Sequence, residues 1–330
     1  MMNGIDALHS YAIRLAQEQA SPGMVMTIEK ELLHYSILDA MDEAGLLDHL
    51  VFQGGTSLRL CYGAERYSED LDFSGGRGFD RTGLDRLKDC VEHAVGDRYD
   101  VTVDVKEPRT AAGLVSAWTV IVDTTPRRKD IPRQRIKIEV ASIDAHDPVV
   151  RPLMVNYAEL GGFSDVMLMV ESREEILADK IESFVCSSHI RYRDLWDLAW
   201  LSRQPGIRQD KVDTLRRMKA LDYGELDRYA QRYPLVQDRL TDAFESDGFA
   251  REMERFLPAA RIARTIERPL WMHGTRELLA GLFASHTPEL PTTGSHRGSP
   301  TTDDAPPLPM PDPTHPSLEP NAPAPGMGMA

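Results

Sequence analysis

The chain has 330 residues and a net charge of −14 at pH 7, with 42% hydrophobic and 27% charged residues, which is ordinary for a globular protein of about two domains. The acidic excess argues against a general nucleic-acid coat, although a local basic patch can still bind a nucleic-acid substrate. The sequence lacks both an apolar run of the roughly 18–20 residues that span a bilayer and a secretory signal, so we expect a cytoplasmic protein with no membrane partner.

Two amphipathic helices are predicted at the start of the chain. Apolar residues recur at helical spacing over residues 5–19 and again over residues 26–44, which gives each helix one face that must be buried. Gly45 is expected to end the second helix. Residues 1–46 are therefore predicted to pack as helices on the domain that follows them.

The next segment, residues 47–165, combines the patterns of strands and helices. Short apolar runs and alternation of apolar with polar residues predict strands, at residues 50–52, 71–74, 99–106, 114–123 and 135–141. Helical spacing predicts helices at residues 57–62 and 80–96. We predict that this segment is an α/β core.

Residues 166–285 have a helical pattern. Ser172 with Glu175 three positions later forms a capping box, which predicts a helix that runs to about residue 187. A second helix is expected at about residues 192–201, and several more follow it. The predicted fold class is therefore α+β, with a helical C-terminal domain after the mixed core.

The last segment, residues 286–330, holds 12 of the 22 prolines and few bulky apolar residues. Such a chain cannot bury enough surface to offset its conformational entropy, so we predict a disordered Pro-rich tail. A Pro-rich ligand for a partner domain is the alternative interpretation.

The first chemical motif is Gly54-Gly55-Thr56-Ser57, which follows the strand at residues 50–52 and precedes a helix. Two glycines let the backbone approach a phosphate closely. The following helix presents free N–H groups and the positive end of its dipole to that phosphate, and either hydroxyl can add a donor. The motif therefore predicts a phosphate-binding loop.

The second motif is a pair of aspartates on the next strand. Asp70 and Asp72 lie two residues apart, so both carboxylates point to the same face of the strand, while Leu71 and Phe73 point into the core. Neighbouring carboxylates repel each other unless a cation lies between them. The usual cation is Mg²⁺, which then also binds the substrate triphosphate. An Asp-x-Asp pair alone often occurs by chance, whereas its order after the glycine motif is much rarer.

A third carboxylate is expected from a neighbouring strand, and Glu139 is the candidate. Alternate residues of its strand are apolar, which leaves Arg135, Lys137 and Glu139 on the polar face. Three carboxylates can hold two metal ions, of which one activates the attacking hydroxyl and the other stabilises the leaving pyrophosphate.

A basic run at residues 127–129, together with Arg133, Arg135 and Lys137, interrupts the acidic sequence. A solvated hairpin loop accounts for it. The alternative is a surface that binds an RNA backbone beside the active site.

Four motifs together resemble the AbiEii/AbiGii toxin family of nucleotidyltransferases, which belongs to the polymerase-β-like superfamily. The resemblance lies, in chain order, in residues 52–59, 66–73, 174–180 and 191–198. It covers about residues 30–200. It implies a polymerase-β-like nucleotidyltransferase core with a mixed sheet, followed by a helical C-terminal domain.

The resemblance also implies a role for each matching residue. The nucleotide would be bound by Gly54, Gly55, Thr56, Ser57, Arg59, Ser68 and Lys180, with Lys180 on the triphosphate. Asp70 and Asp72 would be metal ligands and catalytic, Asp194 would be the acidic residue of the last motif, and Asp197 is an alternative for that role. Arg193 and Asp197 are also spaced as a surface ion pair, and Lys180 alone would be read as a solvated helix lysine.

The function implied by the resemblance is Mg²⁺-dependent transfer of a nucleoside monophosphate from an NTP to an acceptor, with the 3′ end of tRNA favoured. A cognate antitoxin would restrain such a toxin, and growth arrest or phage defence would be its outcome. The alternatives are an enzyme that nucleotidylates a protein hydroxyl and a non-catalytic nucleotide-binding module.

Overall fold

A seven-stranded mixed sheet forms the first half of the protein. The computed structural model describes residues 4–108, 113–163 and 165–288. The strands are β1 (Val51–Gln53), β2 (Leu71–Ser74), β3 (Val103–Lys106), β4 (Val115–Val122), β5 (Gln134–Ala141), β6 (Pro148–Pro152) and β7 (Met167–Glu171). Their order is β3-β4-β5-β2-β1-β7-β6. The pairs β2–β5 and β1–β7 are parallel and the other pairs are antiparallel.

Helices precede, interrupt and follow the sheet. Four lie before or between its strands: α1 (Ile5–Glu18), α2 (Val25–Glu43), α3 (Gly54–Tyr62) and α4 (Leu87–Tyr99). Eight follow the last strand: α5 (Arg173–Cys186), α6 (Tyr192–Ser202), α7 (Gln209–Tyr223), α8 (Leu226–Arg232), α9 (Val236–Glu245), α10 (Gly248–Met253), α11 (Ala259–Arg264) and α12 (Pro269–Ala284). The predicted α+β class with a mixed sheet and a helical second half is confirmed. None of the described helices is both long and apolar enough to cross a membrane.

One face of the sheet is covered by the N-terminal helices. Alternate residues of β5, namely Ile136, Ile138 and Val140, are fully buried in a cluster with α1, α2 and α4. Phe52 and Phe73 stack within the same cluster, with ring centroids 5.1 Å apart. The opposite face of β5 carries its polar residues, as the alternation predicted.

A second hydrophobic cluster occupies the helical half. It consists mainly of buried side chains from α5 to α12. Leu58 and Ala64, from α3 and the residues just after it, belong to this cluster and not to the first. The helix that follows the glycine motif is therefore packed against the helical half while its first residues border the sheet.

Several predicted elements differ from the observed ones. The strands β6 and β7 were not predicted, and residues 167–171 were assigned to the helical part, which is wrong. A short apolar run is compatible with either structure, and pairing with β1 makes β7 a strand. The strand expected at 99–106 begins only at Val103, because Tyr99 is the last residue of α4.

The domain boundaries at residues 46, 165 and 285 stay predictions. The predicted tail lies outside the described residues beyond residue 288.

Candidate active site

Strand pairing brings the predicted acidic residues onto one face of the sheet. Asp72 of β2 pairs with Gln53 of β1 on one side and with Glu139 of β5 on the other. Aligned residues of neighbouring strands point to the same face. Asp70 lies just before β2, and its Oδ1 accepts a hydrogen bond of 3.2 Å from the backbone N–H of Lys137. The sheet therefore places Asp72 and Glu139 on the same face, with Asp70 just before β2 beside Lys137 of β5.

The surroundings of Asp72 disfavour its ionised form. Burial is the largest cause, and the charges of Glu139 and Asp70 add to it, so that the pKa of Asp72 rises to about 7. The positive charges of Lys180 and Arg193 act in the opposite direction. Asp72 is thus the centre of an acidic group that the protein's own cations compensate only in part.

Gly54 and Gly55 make room for two other side chains. Gly54 has φ +76°, in the left-handed region that favours glycine, and a Cβ there would lie 2.7 Å from Asp72 Oδ2. A Cβ on Gly55 would overlap Arg66 Nη2 and would lie 3.1 Å from Ser68 Oγ. The two glycines therefore allow the start of α3 to approach Asp72 and Arg66 closely.

The hydroxyl groups of the glycine motif are bonded within the protein. Thr56 Oγ1 donates to the backbone oxygen of Asp70, and Ser57 Oγ donates to that of Gly54 at 2.8 Å. Both side chains are fully buried. These bonds fix the turn between β1 and α3, and the predicted roles of Thr56 and Ser57 in nucleotide binding stay predictions.

Arg59 lies in a different network. Its guanidinium forms hydrogen bonds of 2.9–3.2 Å with the buried carboxylate of Glu31 and lies over the ring of Tyr67. These contacts join α3 to α2. The structure does not bring Arg59 to the acidic group, and its predicted binding of nucleotide stays a prediction.

Lys180 and the two aspartates of α6 form a buried ionic network. Lys180 Nζ lies 2.7 Å from Asp194 Oδ1 and 2.8 Å from Asp197 Oδ2. Arg66 bonds both carboxylate oxygens of Asp197, at 2.8 and 2.7 Å. Lys180 is therefore not a solvated helix lysine, and both aspartates contact it.

The network keeps all of its members charged. Burial raises the pKa of Asp197, but Arg66 and then Lys180 outweigh it and lower that pKa to about 2. For Asp194, Lys180 likewise outweighs burial and the pKa is lowered. Burial lowers the pKa of Lys180, whereas Asp194 and Asp197 raise it above the ordinary value. Lys180 stays cationic beside the acidic group.

The surface ion pair between Arg193 and Asp197 is not formed. Asp197 is 2% exposed and bonds Arg66 and Lys180. Arg193 instead lies 3.5 Å from both Glu69 and Glu252. The i,i+4 spacing alone suggested the wrong partners, because the helix turns Asp197 inward.

Two residues of the site were not predicted from the sequence. Arg66 joins the start of α3 to α6, and Gln53 shares the face of Asp72. Both lie inside the first two of the four motifs that carry the resemblance. The alternation of residues along β1 would have predicted that Gln53 shares this face. The partner of Arg66 lies 131 residues away in the chain, so no local pattern predicts it.

Within the described part of the chain, the ion pairs of the basic run are with nearby residues. Arg128 pairs with Asp130 in the loop, with both side chains exposed, and Lys137 lies 3.3 Å from Glu139. Arg135 is exposed on the same face of β5 as Glu139. The loop is exposed, and two further cations of the run, Arg135 and Lys137 on β5, border the acidic group.

Another group of possible ligands lies in the helical half. Among the described residues, Glu182, Cys186 and Glu225 are the three that bring ligand atoms within 4.8 Å of one another. Arg216 Nη1 lies 3.1 Å from Glu182 Oε2, so a cation of the protein already faces these carboxylates. This arrangement accounts for the cluster as part of the packing between helices.

The acidic group on the sheet fits a divalent cation. Its donors are carboxylate oxygens, which are the ligands that Mg²⁺ prefers. The raised pKa of Asp72, caused by burial and then by Glu139 and Asp70, shows negative charge that a cation would stabilise. The donor types therefore suit the predicted metal, although the ligand atoms of Asp70, Asp72 and Glu139 do not all lie within 4.8 Å of one another.

Comparison with known proteins identifies a family and a similar fold. The profile of the family described as nucleotidyl transferase AbiEii toxin, type IV TA system, matches residues 36–271. A comparison with curated proteins gives no match. The fold is similar to MenT4, a nucleotidyltransferase toxin from Mycobacterium tuberculosis H37Rv, with a TM-score of 0.58 and 19% identity over 84% of this chain and 89% of that one. JHP933 from Helicobacter pylori is matched with a TM-score of 0.43 and 18% identity over 79% and 91%.

Proposed function

Because the chain belongs to the AbiEii family of nucleotidyltransferase toxins of type IV toxin–antitoxin systems, we propose that it uses Mg²⁺ to transfer a nucleoside monophosphate from an NTP to the 3′ end of tRNA. The observation that carries the proposal is the position of Asp72. It lies between Glu139 and Gln53 on the sheet, near Asp70, and a Cβ on Gly54, the first residue of α3, would lie only 2.7 Å from its Oδ2.

The start of α3 is the proposed binding site for the triphosphate. The first N–H groups of a helix lack partners within the helix and attract anions. Gly54 holds this end of α3 against Asp72, so phosphates bound there would lie beside the acidic group. Magnesium held by Asp70, Asp72 and Glu139 would neutralise phosphate charge and polarise the reacting phosphorus.

Lys180 supplies a fixed positive charge next to the same site. Asp194 and Asp197 hold its ammonium group from two sides, and Arg66 holds Asp197 in turn. A lysine held in this way keeps its charge and loses little conformational freedom when an anion binds. We assign Lys180 to the triphosphate and regard Asp194 and Asp197 as residues that position it.

The tRNA acceptor rests on the family resemblance and on the charge beside the site. Arg135 and Lys137 lie on the same face of β5 as Glu139. Cations there would contact the phosphates of a nucleic-acid strand whose end reaches Asp72. In this proposal a cognate antitoxin restrains the enzyme in the cytoplasm.

The test is incubation with labelled NTPs, Mg²⁺, total tRNA and cell protein, with Asp70→Ala as the control. We expect label on tRNA with the wild type, and its absence with Asp70→Ala or with EDTA. Label on protein alone would show a protein-nucleotidylating enzyme. Binding of NTP without pyrophosphate release would show a non-catalytic module. Either result overturns the proposed reaction.

A further inference from the structure

A row of polar residues crosses four strands on the face that carries Asp72. Glu139, Asp72 and Gln53 are aligned by the pairing of β5, β2 and β1. Phe52 pairs with Val170 in the parallel pair β1–β7, so the next residues, Gln53 and Glu171, are neighbours too. Gln53 therefore lies between the proposed metal ligand Asp72 and a buried carboxyl group, that of Glu171.

Glu171 belongs to a buried cluster with more negative than positive charge. Lys219 Nζ lies 2.6 Å from Glu171 Oε1, 3.0 Å from Glu175 Oε1 and 3.3 Å from Asp179 Oδ2. Lys219, Glu171 and Glu175 are almost completely buried. One ammonium group faces three carboxyl groups, and a proton on one of them would reduce the repulsion.

The contacts indicate that Glu171 carries this proton. Both oxygens of Glu175 accept backbone N–H groups, from His146 and Asp147, at 2.7 Å. Asp179 is partly exposed to water. Glu171 Oε2, in contrast, is buried and has no hydrogen-bond partner among the described residues.

The electrostatics of the cluster agree with the contacts. Burial and then the charge of Asp179 raise the pKa of Glu171 well above its ordinary value, although Lys219 lowers it. The other titratable groups that face it are Glu175 on α5 and Tyr223 on α7. Burial also raises the pKa of Tyr223, so this residue is neutral and adds no charge.

Gln53 has an acceptor that a protonated Glu171 could satisfy. Its Oε1 is also buried without a hydrogen-bond partner among the described residues. Two buried acceptors on neighbouring strands are costly unless a proton lies between them. We propose that Glu171 donates a hydrogen bond to Gln53 Oε1 and thereby turns the Gln53 amide nitrogen toward the Asp72 carboxylate.

Gln53 is then a positioning residue for Asp72. A carboxylate that holds a metal ion usually accepts a hydrogen bond that fixes its orientation. The Gln53 amide supplies this bond, and Glu171 decides which end of the amide faces Asp72. The role of Asp72 itself rests on the function proposed above, whereas the protonation of Glu171 does not.

The first experiment detects the protonated carboxyl group of Glu171 directly. Infrared spectra of the wild type and Glu171→Gln are compared at pH 8 without metal or nucleotide. We expect the wild type to show a protonated carboxyl band that Glu171→Gln lacks. If the substitution removes no such band, Glu171 is ionised, the Gln53 amide is turned the other way and the proposal is overturned.

The second experiment measures Mn²⁺ binding by calorimetry without nucleotide or acceptor. Glu171→Ala and Gln53→Met are each expected to weaken binding about tenfold. Glu171→Gln keeps a donor of the same shape and is expected to stay within about twofold of the wild type. The double variant Gln53→Met/Glu171→Ala should bind no more weakly than either single variant.

Additive losses in the double variant, or a loss in Glu171→Gln equal to that in Gln53→Met, would contradict the proposal. If Glu171→Ala does not fold, the difference in Mn²⁺ binding between Glu171→Gln and Gln53→Met still tests the proposal. A failed transfer assay with a positive infrared result would overturn the proposed function alone.

Discussion

Asp72, a proposed metal ligand, lies in an unfavourable environment for its charge. Burial, Glu139 and Asp70 raise its pKa to about 7, from an ordinary value of 3.8. As the pH rises from about 4 to about 7, the unfolded chain loses this proton before the folded chain does. The folded state therefore loses stability over this window.

We predict that Asp72→Asn removes activity and raises stability. Above pH 7 and in EDTA, the variant should unfold with a free energy about 1–3 kcal/mol higher than the wild type, because its amide does not ionise. The difference should nearly vanish at pH 4, and nucleotide transfer should fall at least about 100-fold. Urea unfolding at several pH values checks this, and a wild type of equal or greater stability at pH 8 would contradict it.

The pair formed by Arg66 and Asp197 contrasts with Asp72, because each buried charge here has its partner. The side chains are 3% and 2% exposed and share two hydrogen bonds. Removing one member leaves a buried charge without its counterion, which costs more than the pair itself contributes.

We predict that Asp197→Asn lowers the free energy of unfolding by about 3–5 kcal/mol. The matched control is Asp130→Asn, which breaks the pair with Arg128 in the exposed loop and should leave the unfolding curve unchanged. Chemical unfolding of both variants checks this. Equal effects of the two substitutions would show that burial of the pair at Asp197 has no energetic consequence.

At the scale of elements, α3 depends on its first two residues having no side chain. Gly54→Ala would impose φ +76° on an alanine and bring its Cβ to 2.7 Å from Asp72 Oδ2. Gly274, in the middle of α12, has no atom within 4 Å of the position of a Cβ. The same substitution should therefore have opposite effects in the two helices.

We predict that Gly54→Ala destabilises the protein by about 1–3 kcal/mol and that Gly274→Ala stabilises it by about 0.5–1 kcal/mol. Thermal unfolding of the two variants checks the signs. A tolerated Gly54→Ala would mean that the start of α3 does not approach Asp72 as closely as described.

The sequence predicted those elements whose signal is local. The helical spacing of α2 and the alternation along β5 are visible within one element, and both were predicted nearly to their ends. Glu139 was expected on a strand next to that of Asp72 because it lies on the polar face of its own strand, and β5 does pair with β2 there; its role as a metal ligand stays a prediction. In contrast, β7 is a strand through its pairing with β1, and Arg66 is buried through Asp197. Such distant contacts leave no periodic signal.

At the scale of the whole molecule, the sheet and the helical half are joined beside the site. Arg66 bonds Asp197, the backbone N–H of Tyr67 donates to the oxygen of Phe256 at 3.0 Å, and Leu58 packs in the second hydrophobic cluster. The two sides of the proposed active site are therefore parts of one folded unit, although their hydrophobic clusters are separate.

The last prediction concerns where the chain can be cut. A chain that ends at residue 288 keeps both hydrophobic clusters and should unfold at the same temperature as the full chain, because the predicted tail has few bulky apolar residues to bury. A chain that ends at residue 165 lacks β7, whose Leu168 and Val170 are buried in the first cluster and which separates β1 from β6. We expect it to lose cooperative unfolding, since the sheet loses an interior strand and α3 loses the cluster that covers Leu58. Calorimetry of the two truncated chains separates these outcomes, and a cooperative transition in the shorter one would establish residues 1–165 as an independent domain.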